Sequence, residues 1–520
     1  MSTIRFLSVL VLLISLLVVT PAPAQAAPAP VDVYPVPSIY PASPDYTLTV
    51  NGTPVPVQDY PGYDIAQFAM GAGDATIAVT KVNNTAIGAY RISPRKLGVS
   101  AAVTGPTLTF TIHDDAYLII KIDGRPDLVI AADPVETNRP SSSGAGIFNV
   151  GAAPTTASFQ QTLNDAAAWG SATGTQGIVY VPAGVYPVGN LYLRSDLALY
   201  LAPGAVLRFT GDRAENEVHW RKESQQRDIT WFLSTRYSSE NISIYGRGVI
   251  DGNGKAALAP SNLGVNLLTP IYTTNFLVDG VTFRESSSWA IMPTRSSNMT
   301  FRNLKIFNRF DMGENDGIDV MESSNVTVQH AIGVGLDDPF STKTWDTTVD
   351  LFSKVPGNPR PLSDVTFDDL MSFTYCYGVK VGQGVFQNQQ NVTFRNVTVY
   401  DAAVAIGVHH KYGTATAGTI RFENIDVEKL SFSNDSNRTW LALWTGDTHG
   451  TGPITGVTVK NTRLYTLGTT PARINGKPAA PITGVTLDHV YAGTATTPAT
   501  TLTDLNITNI SDNGPITIIS

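Results

Sequence analysis

The sequence predicts an all-β protein in which a small β-sandwich precedes a long parallel β-helix. Three observations lead there. Short alternating runs of Val, Thr, Ile and Tyr fill the chain between 44 Gly and 33 Pro residues, the pattern of many brief strands and turns. A turn-then-strand unit recurs nine times from Asn241 onward. Helical spacing is convincing only over residues 156–169, where Phe159, Leu163, Ala166 and Ala167 share one face.

The 520 residues leave room for two or three domains, or for one long repeat with an appendage. A hydrophobic fraction of 42% with 15% charged residues excludes a disordered chain. The net charge of −8 argues against a nucleic acid partner. One cysteine, Cys376, excludes a disulfide framework and any Cys-based metal cluster.

Residues 1–26 read as a signal peptide. Arg5 supplies the positive start, residues 6–19 the apolar stretch, and Ala24-Gln25-Ala26 the cleavage signal, so a mature start near Ala27 is expected. No later run is apolar for the ~20 residues of a membrane span. The expectation is a secreted, extracellular protein with no membrane partner after cleavage.

Residues 31–135 carry the sandwich signals. The runs Tyr46-Thr-Leu-Thr-Val50, Gln67-Phe-Ala-Met70, Ala75-Thr-Ile-Ala-Val79, Thr107-Leu-Thr-Phe-Thr-Ile112 and Ala116-Tyr-Leu-Ile-Ile-Lys-Ile122 alternate, and Asn51-Gly52 marks a tight hairpin. Residues 136–155, with Asn138-Arg-Pro-Ser-Ser-Ser-Gly-Ala-Gly146, read as a linker. From residue 156 to 520 the β-helix is expected, opened by the amphipathic helix as a cap, since the terminal coil of a solenoid would otherwise expose its core and edge. The repeat starts at Asn241, Asn275, Asn298, Asn325, Asp364, Asn391, Thr419, Gly456 and Gly484, and four of its intervals are 27 or 28 residues. A period of that length with three short strands per turn describes a parallel β-helix. Several of these Asn-x-Ser/Thr tripeptides match the glycosylation sequon; their phase with the repeat favours an Asn stacked at one bend in successive coils.

One stretch departs from the repeat with chemistry in it: Glu314-Asn-Asp-Gly-Ile-Asp319, then Leu336-Asp-Asp-Pro-Phe-Ser-Thr-Lys-Thr-Trp345. Asp316 precedes Asp337 by 21 residues, close to one coil. Asp316, Asp337 and Asp338 are therefore expected side by side on adjacent coils. Like charges so placed raise at least one pKa, which keeps one carboxyl protonated beside an ionised neighbour. Glycosidic bond cleavage needs such a pair. The bland reading is a Ca²⁺ site or a solvated acidic turn.

These segments resemble the β-helix glycosidases. Gly246-Arg-Gly-Val-Ile-Asp-Gly-Asn-Gly254 is similar to the "G-x-G-x-I-D-G-x-G" coil of glycoside hydrolase family 28, Val281-Thr-Phe-Arg-Glu-Ser-Ser-Ser-Trp289 to its "N-S-P-x-W" segment, Glu314-Asn315-Asp316-Gly317-Ile318-Asp319 to "N-T-D-G-I-D" except in the first two places, and Asp337-Asp338 to "G-D-D-C". The resemblance spans about residues 150–500 and implies a right-handed parallel β-helix and inverting hydrolysis, with Asp337 as general acid and Asp316 and Asp338 activating water. The "G-H-G" position falls at Tyr377-Gly378-Val379, with no histidine, and the "R-I-K" grip on a galacturonate carboxylate has no clean match. A sandwich before the β-helix is similar to family 49, which favours a neutral α-glucan of dextran type over a pectin-like galacturonan.

The candidate substrate-binding residues are Lys343, Trp345, Lys380, Gln383, His409, His410 and Lys411, with Trp440 and Trp444 as further platforms for a sugar face. Cys376 reads as an inert buried thiol in a strand. No nucleotide loop, Ser-His-Asp signature or zinc constellation is present, so neither cofactor nor metal is expected. The leading function is a secreted polysaccharide hydrolase. A polysaccharide lyase on the same scaffold would need Ca²⁺ and Lys343 or Lys380 as base, and a non-catalytic carbohydrate-binding solenoid would bind without cleaving.

Overall fold

The computed structural model describes residues 28–346, 355–434 and 436–520; the expected signal peptide lies outside them. The N-terminal strands form a six-stranded and a five-stranded sheet. Leu48, Val50, Phe68, Ile77, Leu108, Leu118 and Ile130 are among the side chains that close the core between the sheets. Tyr46–Val50 turns into Thr53–Val55 through Asn51 and Gly52, both at positive φ (48° and 79°), the backbone that a two-residue hairpin requires. Among the described residues no helix is long and apolar enough to cross a membrane.

The helix Thr156–Thr173 runs four residues past its expected end, capped by Thr155 Oγ1 at one end and by Gly174 at φ 73° at the other. Its buried face, Phe159, Leu163, Ala166 and Ala167, seals the core of the first coil. Ile147–Asn149, inside the expected linker, already pairs with Gly177–Val181 in parallel, so the solenoid sheet begins before the helix. From there the chain is a parallel β-helix with one 17-stranded sheet, which folds over two faces, and shorter sheets closing the third.

All nine repeat positions share one backbone state: Asn241, Asn275, Asn298, Asn325, Asp364, Asn391, Thr419, Gly456 and Gly484 lie at φ between 53° and 65°. Asn tolerates this left-handed bend because its short amide bonds locally. Here the amides donate to the preceding coil, Asn325 Nδ2 to Asn298 Oδ1 at 2.7 Å and Asn391 Nδ2 to Asp364 Oδ1 at 3.1 Å. Inside, Phe367, Phe394 and Phe422 stack with centroids 4.7 and 5.4 Å apart.

The sandwich lies along one flank of the solenoid. Tyr63, Ile65, Ile119 and Val129 pack on Phe307, Ile332, Met371 and Tyr400. Asp251, inside the family-like "I-D-G" run, accepts a hydrogen bond from Tyr40 Oη at 2.7 Å and so ties the two parts together.

Candidate active site

The site lies on a seven-stranded parallel sheet that includes Ile318–Met321, Phe340–Thr344, Tyr377–Val385 and Val404–Tyr412. Ile318 and Val320 point into the core, so Asp319 points out; Phe340 likewise turns Ser341 and Lys343 outward. The three candidate acids sit in the turns just before the first two strands, and the turns stack: Gly317 N donates to Asp338 O at 2.9 Å and Ala290 N to Asp316 O at 2.8 Å. Gly317 is needed there, because a Cβ would stand 2.3 Å from Pro339 O. Asn315 fixes the next turn, accepting from Asp337 N at 3.1 Å.

A cavity of about 310 Å³ opens over these turns. Glu314, Asp316, Asp337 and Asp338 line it together with Lys222, Lys343, Lys380 and Lys411. Trp289, Trp345, Gln383 and Tyr412 complete the wall. Eight of the ten predicted residues therefore meet in one place.

His409 and His410 do not line it. His410 shares the inward parity of Ile406 and Val408, and its Nε2 meets Ala415 O at 2.7 Å. His409 is buried, with Trp444 stacked at 3.8 Å and Tyr377 at 5.8 Å; burial, with Lys380 and Lys411 nearby, holds its pKa well below the ordinary value, as a neutral ring. Trp440 is a core residue whose Nε1 donates to Leu505 O at 2.7 Å. Trp444 supports His409 rather than the cavity. Cys376 lies in a turn, not a strand, with Sγ within 4.8 Å of carboxylate oxygens of Asp337 and Asp338; burial and both carboxylates push its thiol up.

The charges are tightly interlocked. Lys343 Nζ reaches Asp316 Oδ2 at 2.6 Å and Asp319 Oδ2 at 2.8 Å. Lys380 Nζ donates to Asp338 Oδ2, and Tyr377 N donates to Asp338 Oδ1 at 3.1 Å. Glu314, Asp316 and Asp337 each bring one carboxylate oxygen within 4.8 Å of the others. Burial pushes Asp316 well above the usual carboxylate range against the pull of Lys343, and Asp319 and Asp337 add to the rise. Burial and then Asp338 raise Asp337. Asp338 is also buried, yet Lys380 and Lys343 hold it below the usual value. Like charge was the expected cause of such shifts; burial is the larger one. The acid triads Glu314–Asp316–Asp337 and Asp337–Asp338–Cys376 are close enough to share a cation, but lysine ammonium groups already stand against Asp316 and Asp338.

Glu314, Lys222, Trp289 and Tyr412 are cavity residues that sequence reasoning left unassigned. Trp289 and Glu314 stood inside the family-like motifs, so their segments were flagged. Lys222 comes from Trp220–Lys222, which pairs antiparallel with Arg227–Thr235 outside the repeat, and no periodicity marks it.

A parallel β-helix carrying lysine-braced carboxylates in a cleft along its side defines a carbohydrate-cleaving class of protein. The family model for "Glycosyl hydrolases family 28" matches residues 174–511, so the chain belongs to that family and is a glycoside hydrolase. It is 25% identical over 356 residues to an exopolygalacturonase of Zea mays, covering 63% of this chain and 79% of that one. It is 26% identical over 297 residues to a polygalacturonase of Medicago sativa, covering 53% and 63%. Among solved structures it shares its fold with the family 28 exopolygalacturonase of Yersinia enterocolitica (TM-score 0.54, 15% identity, 96% and 97% covered). Dex49A from Penicillium minioluteum shares it equally (TM-score 0.54, 13% identity, 94% and 96% covered).

Proposed function

We propose that the chain is an exported hydrolase of galacturonan, in which Asp337 protonates the leaving oxygen while Asp316 and Asp338 hold the attacking water. The supporting observation is the division of labour among the three carboxyls. Asp316 has one oxygen on Lys343 and the other, Oδ1, buried with no partner among the described residues, the place for a water. Both oxygens of Asp338 are engaged, which keeps it ionised and fixed. Asp337 has no lysine on it, and burial and Asp338 raise its pKa; Asp316 is raised further, so its open Oδ1 beside Lys343, not its pKa, assigns it to the water.

Elimination is disfavoured because its base would be a lysine. Burial alone would lower Lys343 and Lys380, but the carboxylates facing them more than reverse this and hold both as ammonium ions. The substrate reading rests on Lys411. Three cavity lysines are committed to carboxylates, whereas Lys411 has no carboxylate partner among the described residues. A uronate would meet it with a charge; a dextran offers it only neutral hydroxyls. The polygalacturonase names of the relatives support the same class.

Inversion is proposed because a carboxylate already braced by an ammonium is a poor nucleophile yet can still orient water. The Asp316 and Asp337 oxygens lie within 4.8 Å of each other, closer than the ~6.5–9.5 Å between carboxyl groups in many inverting enzymes, so the anomer formed first is a demanding test. Proton NMR of fresh digests should show the β anomer from α-linked galacturonan; an α product sinks inversion. Reducing-end release across polygalacturonate, dextran, pullulan and arabinan, with Asp337→Asn alongside, tests the reaction and substrate together: activity on dextran alone overturns the uronate reading. Export predicts an N-terminus near Ala27 in culture medium, and an intact Met1 start inside cells contradicts it.

A further inference from the structure

Glu314 projects from the turn between Ser297–Phe307 and Ile318–Met321 into the mouth of the cavity. Its carboxylate stands within 4.8 Å of oxygens of both Asp316 and Asp337. From the other side Lys222 Nζ meets Glu314 Oε2 at 2.5 Å. Lys222 is itself anchored: its side chain is 10% exposed, and its ammonium lies 4.4 Å from the Trp289 ring centroid. Glu314 is therefore held against the acid by a partner from a distant hairpin and cannot swing to solvent without breaking that pair. The family-like motif has a neutral Asn where this chain has Glu314.

The groups that face Asp337 come from every neighbouring turn. Glu314 and Asp316 come from the turn before, with Asp319 behind them; Asp338 adjoins it; Lys343 follows on the same coil. Cys376 and Lys380 come from the next coil, and Lys222 from the hairpin. Five carboxyls thus share three ammonium groups, with Lys411 a fourth on the same cavity wall. The surplus is relieved when one carboxyl holds a proton, and Asp337 is the one among Asp316, Asp337, Asp338 and Glu314 with no lysine bonded to it.

We propose that Glu314, tethered by Lys222, is a positioning residue for the general acid: its charge keeps the proton on Asp337 at the cavity mouth, facing the leaving oxygen. This rests on the reading of Asp337 as that acid. Glu314 acts in the same direction as burial and Asp338, which also favour the protonated form of Asp337, and a like charge at this range shifts a carboxyl by about one pH unit or more.

The test is the pH profile of kcat/KM, whose alkaline limb reports loss of the acid's proton. Its midpoint is read independently of the height of the plateau. Glu314→Gln should move the midpoint down by about one pH unit, so that activity relative to its own plateau falls about tenfold just above the wild-type limb. Glu314→Asp, which keeps the charge, should restore most of the shift. Lys222→Met should move the midpoint down part of the way, because Glu314, freed from its tether, can then turn to solvent. A midpoint that stays put in Glu314→Gln and Lys222→Met proteins of native melting temperature overturns the inference, as does an equal loss at every pH. Asp337→Asn separates the two layers. If it stays active, the acid assignment itself falls; if it is dead while the limb ignores Glu314, only the role of Glu314 falls.

Discussion

Two wholly buried lysines in this molecule live under opposite electrical conditions. Lys305, at the seam between sandwich and solenoid, donates to both oxygens of Asp133 at 2.7 Å and to Gly280 O at 2.8 Å. Arg247 shares that carboxylate, with Nε 3.8 Å away. Burial and then Arg247 outweigh Asp133, and the Lys305 pKa falls to about 8. Lys343, in the cleft, faces two carboxylates at 2.6 and 2.8 Å, and its pKa rises despite burial. At the seam two cations share the one Asp133 carboxylate, whereas in the cleft one cation, Lys343, is shared by two carboxylates. Two cations on one carboxylate in a dry interface cost stability and fix a docking geometry. An anion surplus leaves a proton to be carried and given away, which is what an acid catalyst needs.

Neutral replacements in the two places should separate activity from stability. The largest effect expected is in the cleft: Asp337→Asn should cut kcat by about 10²–10⁴-fold without lowering the melting temperature, since the amide replaces a carboxyl that is already neutral. Residual activity above a tenth of wild type would deny the cleft its acid. At the seam, Asp133→Asn leaves Lys305 and Arg247 facing each other unpaired and should cost about 3–5 kcal/mol, read as a lower denaturant midpoint, while the folded fraction keeps its turnover. A loss of turnover without a loss of stability would mean that the two regions are coupled.

A smaller effect follows from the depressed pKa. Between pH 8 and 10 the unfolded chain, with Lys305 near its ordinary ~10.4, binds more protons than the native one, whose Lys305 titrates at about 8. Native stability should therefore rise across that window, by at most about 3 kcal/mol, and Lys305→Met should flatten the rise. A wild-type curve that falls throughout the window contradicts the lowered Lys305 pKa. The smallest change is at the rim: Lys411→Met should raise KM for polygalacturonate about tenfold, or ~1.4 kcal/mol, with a lesser change in kcat. Equal KM values would remove Lys411 from uronate recognition.

Much of this was legible in the chain itself. The left-handed bends could be placed because Asn, Asp, Thr and Gly recur in phase at the head of each hydrophobic alternation, and Asp316, Asp337 and Asp338 could be grouped because 21 residues is nearly one coil. The inward turn of His410 was also legible, since it continues the parity of Ile406 and Val408, and strict use of the two-residue period would have excluded it. Lys222 was not legible: its hairpin lies outside the repeat, and nothing local says that it reaches Glu314, 92 positions away. The place of the sandwich was equally hidden, because Tyr63 and Ile65 read as strand residues whether their outer face meets water or Phe307 and Ile332.

The sequence by itself determined the repeat, the cap and the row of carboxylates, because a solenoid turns spacing along the chain into position in space at one coil per period. Only the tertiary structure decided which carboxyl stands without a lysine partner. That depends on which lysine lies within about 3 Å of which oxygen, and in a buried site each such contact is worth more than the residue's own chemistry. Lys343 settles on Asp316 and Asp319, Lys380 on Asp338 and Lys222 on Glu314, which leaves Asp337 without a lysine.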